Sequence, residues 1–593
     1  MMFDQAAIGL ILIVLLAMFV WGRVRYDIVA VGGLVVAVAL GLVPAEKAFS
    51  GFGHPAVITV AAVLMMSRAL QQSGAVHIIT ERIKNFSGTP IRQIGSLASV
   101  AAGLSGFMNN VGALALLMPV AMDSCRRVKR SPKLILMPVA FASILGGMVT
   151  LIGTPPNILI ATIRADSLGE GFAMFDFAYV GLPVALLGTL FVTFVGWRLI
   201  PFHGDEKSGL TDPFQIDAYL SELAVPKASE AHGKTLSELE KLTEDIDVAI
   251  VGLVRRKRHY PRPPQHEPLT GHDRLIVQGS AEELDAFVQK LGLRMAGTKP
   301  DKSILVKAKQ AVFSEAVVQQ GSSIIGRTVG SLRLRGRYNV TLLGISRQGE
   351  ASRGRLNDFR LRAGDVILVE GLENDVPDAL QRLGCLPLAE RSVSVGTERR
   401  AAMAVGLFAV AVGVAATGLL PIAVAFSGAI IGVVLLGILP VREMYTSIDW
   451  PVIVLLGALI PIGGAMETTG VTSLVADSIA GMAGVAGPAF LIALLLVVTM
   501  TLSDVLNNAA TTVVMAPIGI SVAQALDLSP DPFLMAVAIG ASCAFLTPIG
   551  HQNNALIMGP GAYRFGDYWR VGLPLEILIV SASVPLILVF WPI

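Results

Sequence analysis

The sequence is poor in charge. Only 15% of its 593 residues are Asp, Glu, Lys or Arg, while 53% are hydrophobic, and mean hydropathy is +0.67. That balance excludes an ordinary soluble domain and points to a polytopic membrane protein. Cysteine is scarce as well. Cys125, Cys385 and Cys543 lie far apart, which excludes a disulfide framework or a thiolate metal site. Aromatic residues are few, at 6%, and no basic patch is interleaved with them, so no nucleic-acid partner is expected. No catalytic constellation appears, which argues against an enzyme. From Glu443 to Tyr563 there is no Lys or Arg at all.

What is present is a series of apolar runs of roughly 16 to 22 residues. In the first part of the chain they cover 6–21, 28–43, 56–70, 134–163 and 177–200, with the third and fourth of these separated by a broken segment at 91–122. In the last part they cover 401–419, 422–439, 450–465, 533–562 and 571–591, with a broken segment at 488–523. The N-terminus lacks a basic region, so 6–21 reads as a first span rather than a signal peptide.

The two broken segments look like distorted copies. One reads Ser105-Gly106-Phe107-Met108-Asn109-Asn110 and runs on to Pro119. The other reads Ser503-Asp504-Val505-Leu506-Asn507-Asn508 and runs on to Pro517. Carboxamides are costly in hydrocarbon unless they find partners. The pairs either glue helices together or line a site at a repeat interface, and the matched duplication favours the site.

The 134–163 and 533–562 runs also correspond. The first passes through Gly153-Thr154-Pro155-Pro156-Asn157 and the second through Gly550-His551-Gln552-Asn553-Asn554. Two prolines cannot sit inside a regular helix, so the span should unwind there and restart beyond them. Freed carbonyls suit a cation and the restarted helix's N–H groups suit an anion.

Each broken segment is either two crossings or a re-entrant hairpin, and charge decides. With hairpins, each half crosses five times. Arg23, Arg25, Arg68, Arg82, Lys84, Arg92, the cluster from Arg126 to Lys133, and Arg442, Arg564 and Arg570 then all fall inside, as the positive-inside rule asks. Arg164 and Lys47 are exceptions, each beside an acid, Asp166 and Glu46. The expected fold is therefore a polytopic α-helical membrane protein of two inverted repeats of five transmembrane helices. Each repeat carries a re-entrant helical hairpin and one unwound helix. Both termini come out extracytoplasmic, in a cell (inner) membrane.

Most of the Lys and Arg lie between the membrane parts, in a block with an internal period of about 92 residues. Val248-Ala249-Ile250-Val251-Gly252 recurs as Val340-Thr341-Leu342-Leu343-Gly344, and the run from Asp273 recurs at Asp365. Two small cytoplasmic α+β domains are expected, giving domains at 1–200, 201–300, 301–400 and 401–593. The basic run Arg255-Arg256-Lys257-Arg258-His259 reads as a solvated hairpin, with anionic lipid or a nucleotide as the sharper alternative.

The tips and the unwound Gly-Thr-Pro-Pro-Asn resemble the divalent anion:sodium symporter (DASS) family across both membrane parts. The run from Thr547 to Phe565 resembles its sulfate-permease branch, and the middle block resembles two TrkA C-terminal (RCK-C) domains. The resemblance implies one cation site at Ser105, Asn109, Asn110 and Gly153. A second is implied at Ser503, the Leu506 carbonyl, Asn508 and Gly550. Asn110 and Asn508, with Thr154, Pro155, His551 and Gln552, would face the anion. The family's usual tip is Ser-Asn-Thr, and here Asn109 and Asn507 replace the serines while Val111 and Ala509 replace the threonines. The lost hydroxyls turn the implied cargo from a dicarboxylate toward an inorganic divalent anion, sulfate first.

Na⁺ is the implied coupling ion, H⁺ its alternative, and no other cofactor is implied. No Lys or Arg lies in the four motifs, so countercharge must come from cotransported cations and helix ends. Asp504 either holds protons, tunes a cation site with Asn507, or hydrogen-bonds the hairpin backbone. His551 is either an anion ligand or a packing residue. The resemblance further implies a homodimer, a regulatory ligand on the RCK-C-like pair, and transport by alternating access. A dicarboxylate or other organic-anion symporter is the alternative, and an RCK-gated channel or membrane sensor is the alternative class.

Overall fold

The computed structural model describes residues 2–21, 24–75, 88–128, 130–201, 220–243, 248–255, 258–260, 267–278, 281–295, 311–347, 350–351, 356–372, 375–388, 398–472, 474 and 487–593. Arg23, Arg82, Lys84, Lys129, Arg256, Lys257 and the expected domain edge at 300 lie outside the described residues. The chain divides into two compact units, Met1–Glu206 with Leu388–Ile593, and Lys207–Pro387.

The first unit is helical. Its first half contains α1 (Met2–Trp21), α2 (Tyr26–Ala39), α3 (Pro55–Gln72), α4 (Pro90–Ser105), α5 (Asn110–Arg127), α6 (Lys133–Gly147), α7 (Pro155–Leu168) and α8 (Ala178–Phe194). Pro55 and Pro90 open their helices, where the missing N–H costs nothing, and Thr89 caps α4 by accepting from Arg92 N–H.

The second unit holds two five-stranded antiparallel sheets. One contains β1 (Leu220–Ala224), β2 (Ala249–Arg255), β3 (Arg258–Tyr260), β4 (Arg274–Gln278) and β5 (Arg294–Met295), in the order β3-β2-β4-β1-β5. The other contains β6 (Ala311–Val318), β7 (Val340–Arg347), β8 (Glu350–Ala351), β9 (Val366–Leu372) and β10 (Cys385–Pro387), in the matching order β8-β7-β9-β6-β10. A register shift falls between Ile250 and Gly252 in one and between Leu342 and Gly344 in the other. Each sheet packs its own apolar core against a helix, α9 (Ala281–Leu291) or α10 (Asp375–Leu383). The duplication extends to an ion pair. Arg255 reaches Asp273 with Nε at 3.0 Å and Nη2 at 2.8 Å, and Arg347 reaches Asp365 at 2.7 and 2.8 Å. The basic run starts the β2–β3 hairpin, and its first residue, Arg255, is a bidentate partner of a carboxylate that is 1% exposed.

The second half of the helical unit contains α11 (Glu398–Ala416), α12 (Ile422–Leu435), α13 (Trp450–Thr469), α14 (Pro488–Ser503), α15 (Asn508–Ala525), α16 (Asp531–Ser542), α17 (Gln552–Met558) and α18 (Tyr568–Phe590). Among the described residues, five helical stretches are long and apolar enough to cross a membrane, and further apolar helices are shorter. The halves interlock. Helix α13 packs on α2 and α12 on α3, while α15 packs on α7, α17 on α6, and α18 on α8. Within each half, the helix entering the break packs on the opening part of the interrupted span, α4 on α6 and α14 on α16.

Arg164 does not pair with its neighbour Asp166. It grips Asp531 of the other half, while Asp166 takes His54 at 3.0 Å.

Candidate functional site

Both breaks fall where the Asn pairs sit. Four residues separate α4 from α5 and α14 from α15. The first Asn of each pair is a helix cap. Asn109 Oδ1 accepts from Val111 N–H at 3.1 Å, and Asn507 Oδ1 accepts from Ala509 N–H at 2.9 Å. The serines that Asn replaces would cap equally well, which accounts for the exchange locally.

The second Asn of each pair meets its serine. Ser105 Oγ donates to Asn110 Oδ1 at 2.6 Å, and Ser503 Oγ lies 3.0 Å from Asn508 Oδ1 and 2.6 Å from the Ala541 carbonyl. Asn110, 3% exposed, is pressed against Gly147, where a Cβ would strike its amide. Leu506, also buried, directly precedes the capping Asn507.

The interrupted spans unwind at 148–154 and 543–551. Each unwound loop is fastened twice, at corresponding residues. Thr150 Oγ1 donates to the Gly106 carbonyl and Thr547 Oγ1 to the Asp504 carbonyl, so each loop is tied to the adjacent tip. Asn157 Nδ2 donates to the carbonyls of Met148 and Thr150, and Asn554 Nδ2 to those of Ala544 and Thr547, three of these bonds measuring 2.9 Å. Gly153 is buried against the Gly147 carbonyl. At Gly550 a Cβ would lie 2.5 Å from the Ser503 carbonyl, so only glycine allows that close approach.

The restarted helices offer fewer main-chain donors than their sequences suggest. Thr154 precedes α7 without capping it, and Pro155 and Pro156 have no N–H to give. In α17 the Asn553 N–H is taken by His551 Nδ1 at 3.0 Å. Gln552 lies beside the Asp449 side chain.

His551 and Asn110 bring the two halves together. With Nδ1 accepting, a neutral imidazole carries its proton on Nε2. Nε2 stands 3.3 Å from Asn110 Nδ2, so two donors converge on one spot. An acceptor bridging them would satisfy both. Asn553, also from the second half, donates to the Asn110 carbonyl and to Ser143 Oγ, each at 3.3 Å. Ser143 in turn donates to the Asn110 carbonyl at 2.8 Å.

Asp504 is 2% exposed and accepts from Leu546 N–H at 2.9 Å. It thus bonds the unwound span rather than its own hairpin backbone. The Glu576 carboxyl of α18 is its neighbour, and Asp504 Oδ2 and Glu576 Oε1 are both buried without a hydrogen-bond partner among the described residues.

The profile of the family described as "Citrate transporter" matches residues 16–540 and 486–593. The chain belongs to the citrate transporter family. Its relatives include an "Uncharacterized transporter sll0640" of Synechocystis, 30% identical across 98% of this chain and 96% of that protein. A "Putative sulfur deprivation response regulator" of Chlamydomonas reinhardtii is 26% identical across 96% of this chain and 99% of its own length. "Sodium/sulfate cotransporter 2" of the same alga is 25% identical over 56% of this chain and 39% of its own length. The family is one of transporters, so this is a membrane transport protein. Ser143, Asn157, Asn553, Asn554, Thr150, Thr547 and Glu576 escaped the sequence reading as site residues. A matched threonine three residues before each loop glycine was the available signal for Thr150 and Thr547.

Proposed function

We propose that this protein is a cation-coupled symporter of a divalent anion, sulfate favoured, working by alternating access with Na⁺ as the coupling ion. The observation that carries the reading is the convergence of Asn110 Nδ2 and His551 Nε2, two uncharged donors 3.3 Å apart, between matched tips that contain no Lys or Arg. A dianion held by neutral donors lacks countercharge, so cations must bind with it. The cation positions are Ser105, Asn109, Asn110 and Gly153 at one tip, and Ser503, Leu506, Asn508 and Gly550 at the other. Thr154, Pro155 and Gln552 flank the anion. The partial relatives named as sodium/sulfate cotransporters support the cargo and the ion, and the family's own description keeps a tricarboxylate or dicarboxylate as the alternative.

The two halves are read as inverted repeats, with termini outside and the duplicated α+β insert, similar to RCK-C domains, in the cytoplasm of a homodimer. A sensor is the second reading, favoured by that insert and by the full-length relative named for the response to sulfur deprivation. Proteoliposomes separate the two. Concentrative sulfate uptake driven by an inward Na⁺ gradient, lost in Asn110→Ala and Asn508→Ala proteins that remain monodisperse, is the expected result. Unchanged uptake with Na⁺ and H⁺ both clamped overturns the symporter.

A further inference from the structure

We propose that Asp504 and Glu576 form a proton-binding site beside the second tip, with no counterpart at the first, and that its proton exchanges as the protein transports. The exchange rests on the symport reading, whereas the site itself rests on how the second half packs.

Two glycines show that packing. Val180-Gly181-Leu182-Pro183 on α8 recurs as Val571-Gly572-Leu573-Pro574 on α18. A Cβ on Gly181 would lie 2.4 Å from the Met148 carbonyl, and one on Gly572 would lie 2.4 Å from the Phe545 carbonyl. Each helix therefore presses its glycine on the unwound loop of its own half. Four residues on, and so on the same helix face, α8 has Ala185 and α18 has Glu576. The loop's other neighbour is the tip, where the residue after the serine is Gly106 in the first half and Asp504 in the second. The first half builds the same junction without acids, so the pair is not a packing requirement.

The two carboxyls are neighbours, and the Phe545 main chain lies beside both. Asp504 is 2% exposed and Glu576 is 7% exposed. Leu546 N–H donates to Asp504 Oδ1 at 2.9 Å, but Asp504 Oδ2 and Glu576 Oε1 are fully buried and have no hydrogen-bond partner among the described residues. Among those residues no cation pairs with either acid. Helices α14, α16 and α8 pack on α18, and the other titratable groups they carry are engaged elsewhere, Asp531 with Arg164 and Tyr179 with the Phe590 ring. Arg198, on the turn beside α18, lies over the Trp197 ring. Cys543 is a titratable neighbour of both acids.

Two ionised carboxylates in such a place repel each other and lack solvent, so the pair retains at least one proton. One O–H between them satisfies both open oxygens, with Glu576 as donor and Asp504, already bonded to the Leu546 N–H, as acceptor. A metal ion fits less well. Hard cations gather about six oxygens, and the loop turns an N–H toward Asp504. Emptying the site sets two like charges between α18 and the loop. That loop is tied through Thr547 to the Asp504 carbonyl, next to Ser503 at the second tip. Loss of the proton and displacement of the loop are therefore linked, each favouring the other.

The test is infrared spectroscopy of the purified full-length protein at neutral pH, in H₂O and in D₂O. Wild type should show the C=O stretch of a protonated carboxyl, moved by D₂O, that Glu576→Gln loses. Asp504→Asn should keep the band at a shifted frequency, because Glu576 retains its proton and donates to an amide. If neither variant changes the protonated-carboxyl region, the site is overturned. Adding Na⁺ and sulfate together to wild type should shift or remove the band. A band indifferent to them marks a structural proton and overturns the exchange. Sulfate uptake is measured separately, so a failure in these spectra leaves the symport reading to its own assay.

Discussion

Lys133 and Asp531 open corresponding helices of the two halves, at the same sequence step that separates Asn110 from Asn508, yet they carry opposite charge. Each pairs across to the other half. Lys133 meets Asp567 at 3.4 Å, and Asp531 meets Arg164 at 2.7 Å, with a second bond at 2.9 Å. The Lys133 pair is almost wholly buried, at 2% and 3% exposure, whereas the Arg164 pair is at 19% and 16%. Removing one partner of a buried pair strands the other. Lys133→Met should therefore cost about 3–5 kcal/mol, and Arg164→Met roughly 1.5–3 kcal/mol. Thermal unfolding of the detergent-solubilised protein reads the difference, and equal losses would contradict it.

The unwound loops should depend on their two asparagines. Asn157→Ala and Asn554→Ala each strip the donor from two loop carbonyls, at a cost of about 1–3 kcal/mol for each buried group left unsatisfied. Replacement by Leu should be no better, since shape is not what is lost. Unfolding temperatures within error of wild type would remove these residues from any structural role.

Glu576 is expected to tolerate an amide but not a methyl. Glu576→Gln offers an amide donor to Asp504 Oδ2, which has no hydrogen-bond partner among the described residues, while Glu576→Ala offers none and should be less stable by about 1–3 kcal/mol. Differential scanning fluorimetry of the two proteins checks the order. A Gln protein as unstable as the Ala protein would refute it.

Acid should loosen the first α+β domain. Burial raises the Asp273 carboxyl, but Arg255 and the Thr270 N–H outweigh it and hold the group below the usual carboxylate range. A depressed acid adds stability above its unfolded value, and that stability fades as pH falls through the folded one. Hydrogen exchange in β2 and β4 of the full-length protein should rise across the acid range, and Asp273→Asn should flatten that rise. An unchanged acid limb in the variant would show that another group controls it.

Much of this architecture was legible because membrane helices leave long signals. Apolar runs, prolines and paired asparagines are one-dimensional patterns, and so the breaks at Asn109 and Asn507 could be read directly. The duplicated sheets were readable for a similar reason, since Val248 and Val340 open runs with one alternation. What stayed hidden depends on partners far apart in sequence. No local pattern announces that Arg164 reaches Asp531 rather than Asp166, or that Glu576 meets Asp504. The cross-half bonds of His551 and Asn553 belong to the same class, because the packing of α17 against α5 and α6 creates them.

Asn110 has one carboxamide and two duties. Its oxygen faces Ser105, and its nitrogen shares a spot with the His551 nitrogen. When no acceptor fills that spot, two donors oppose each other, and a half-turn of the amide relieves them by presenting the oxygen to His551. The same half-turn withdraws that oxygen from the Ser105 side. On the proposed reading, an anion favours the orientation that a cation needs, and a cation favours the orientation that an anion needs. Such linkage is reciprocal by thermodynamic necessity, and here a single side-chain torsion would carry it.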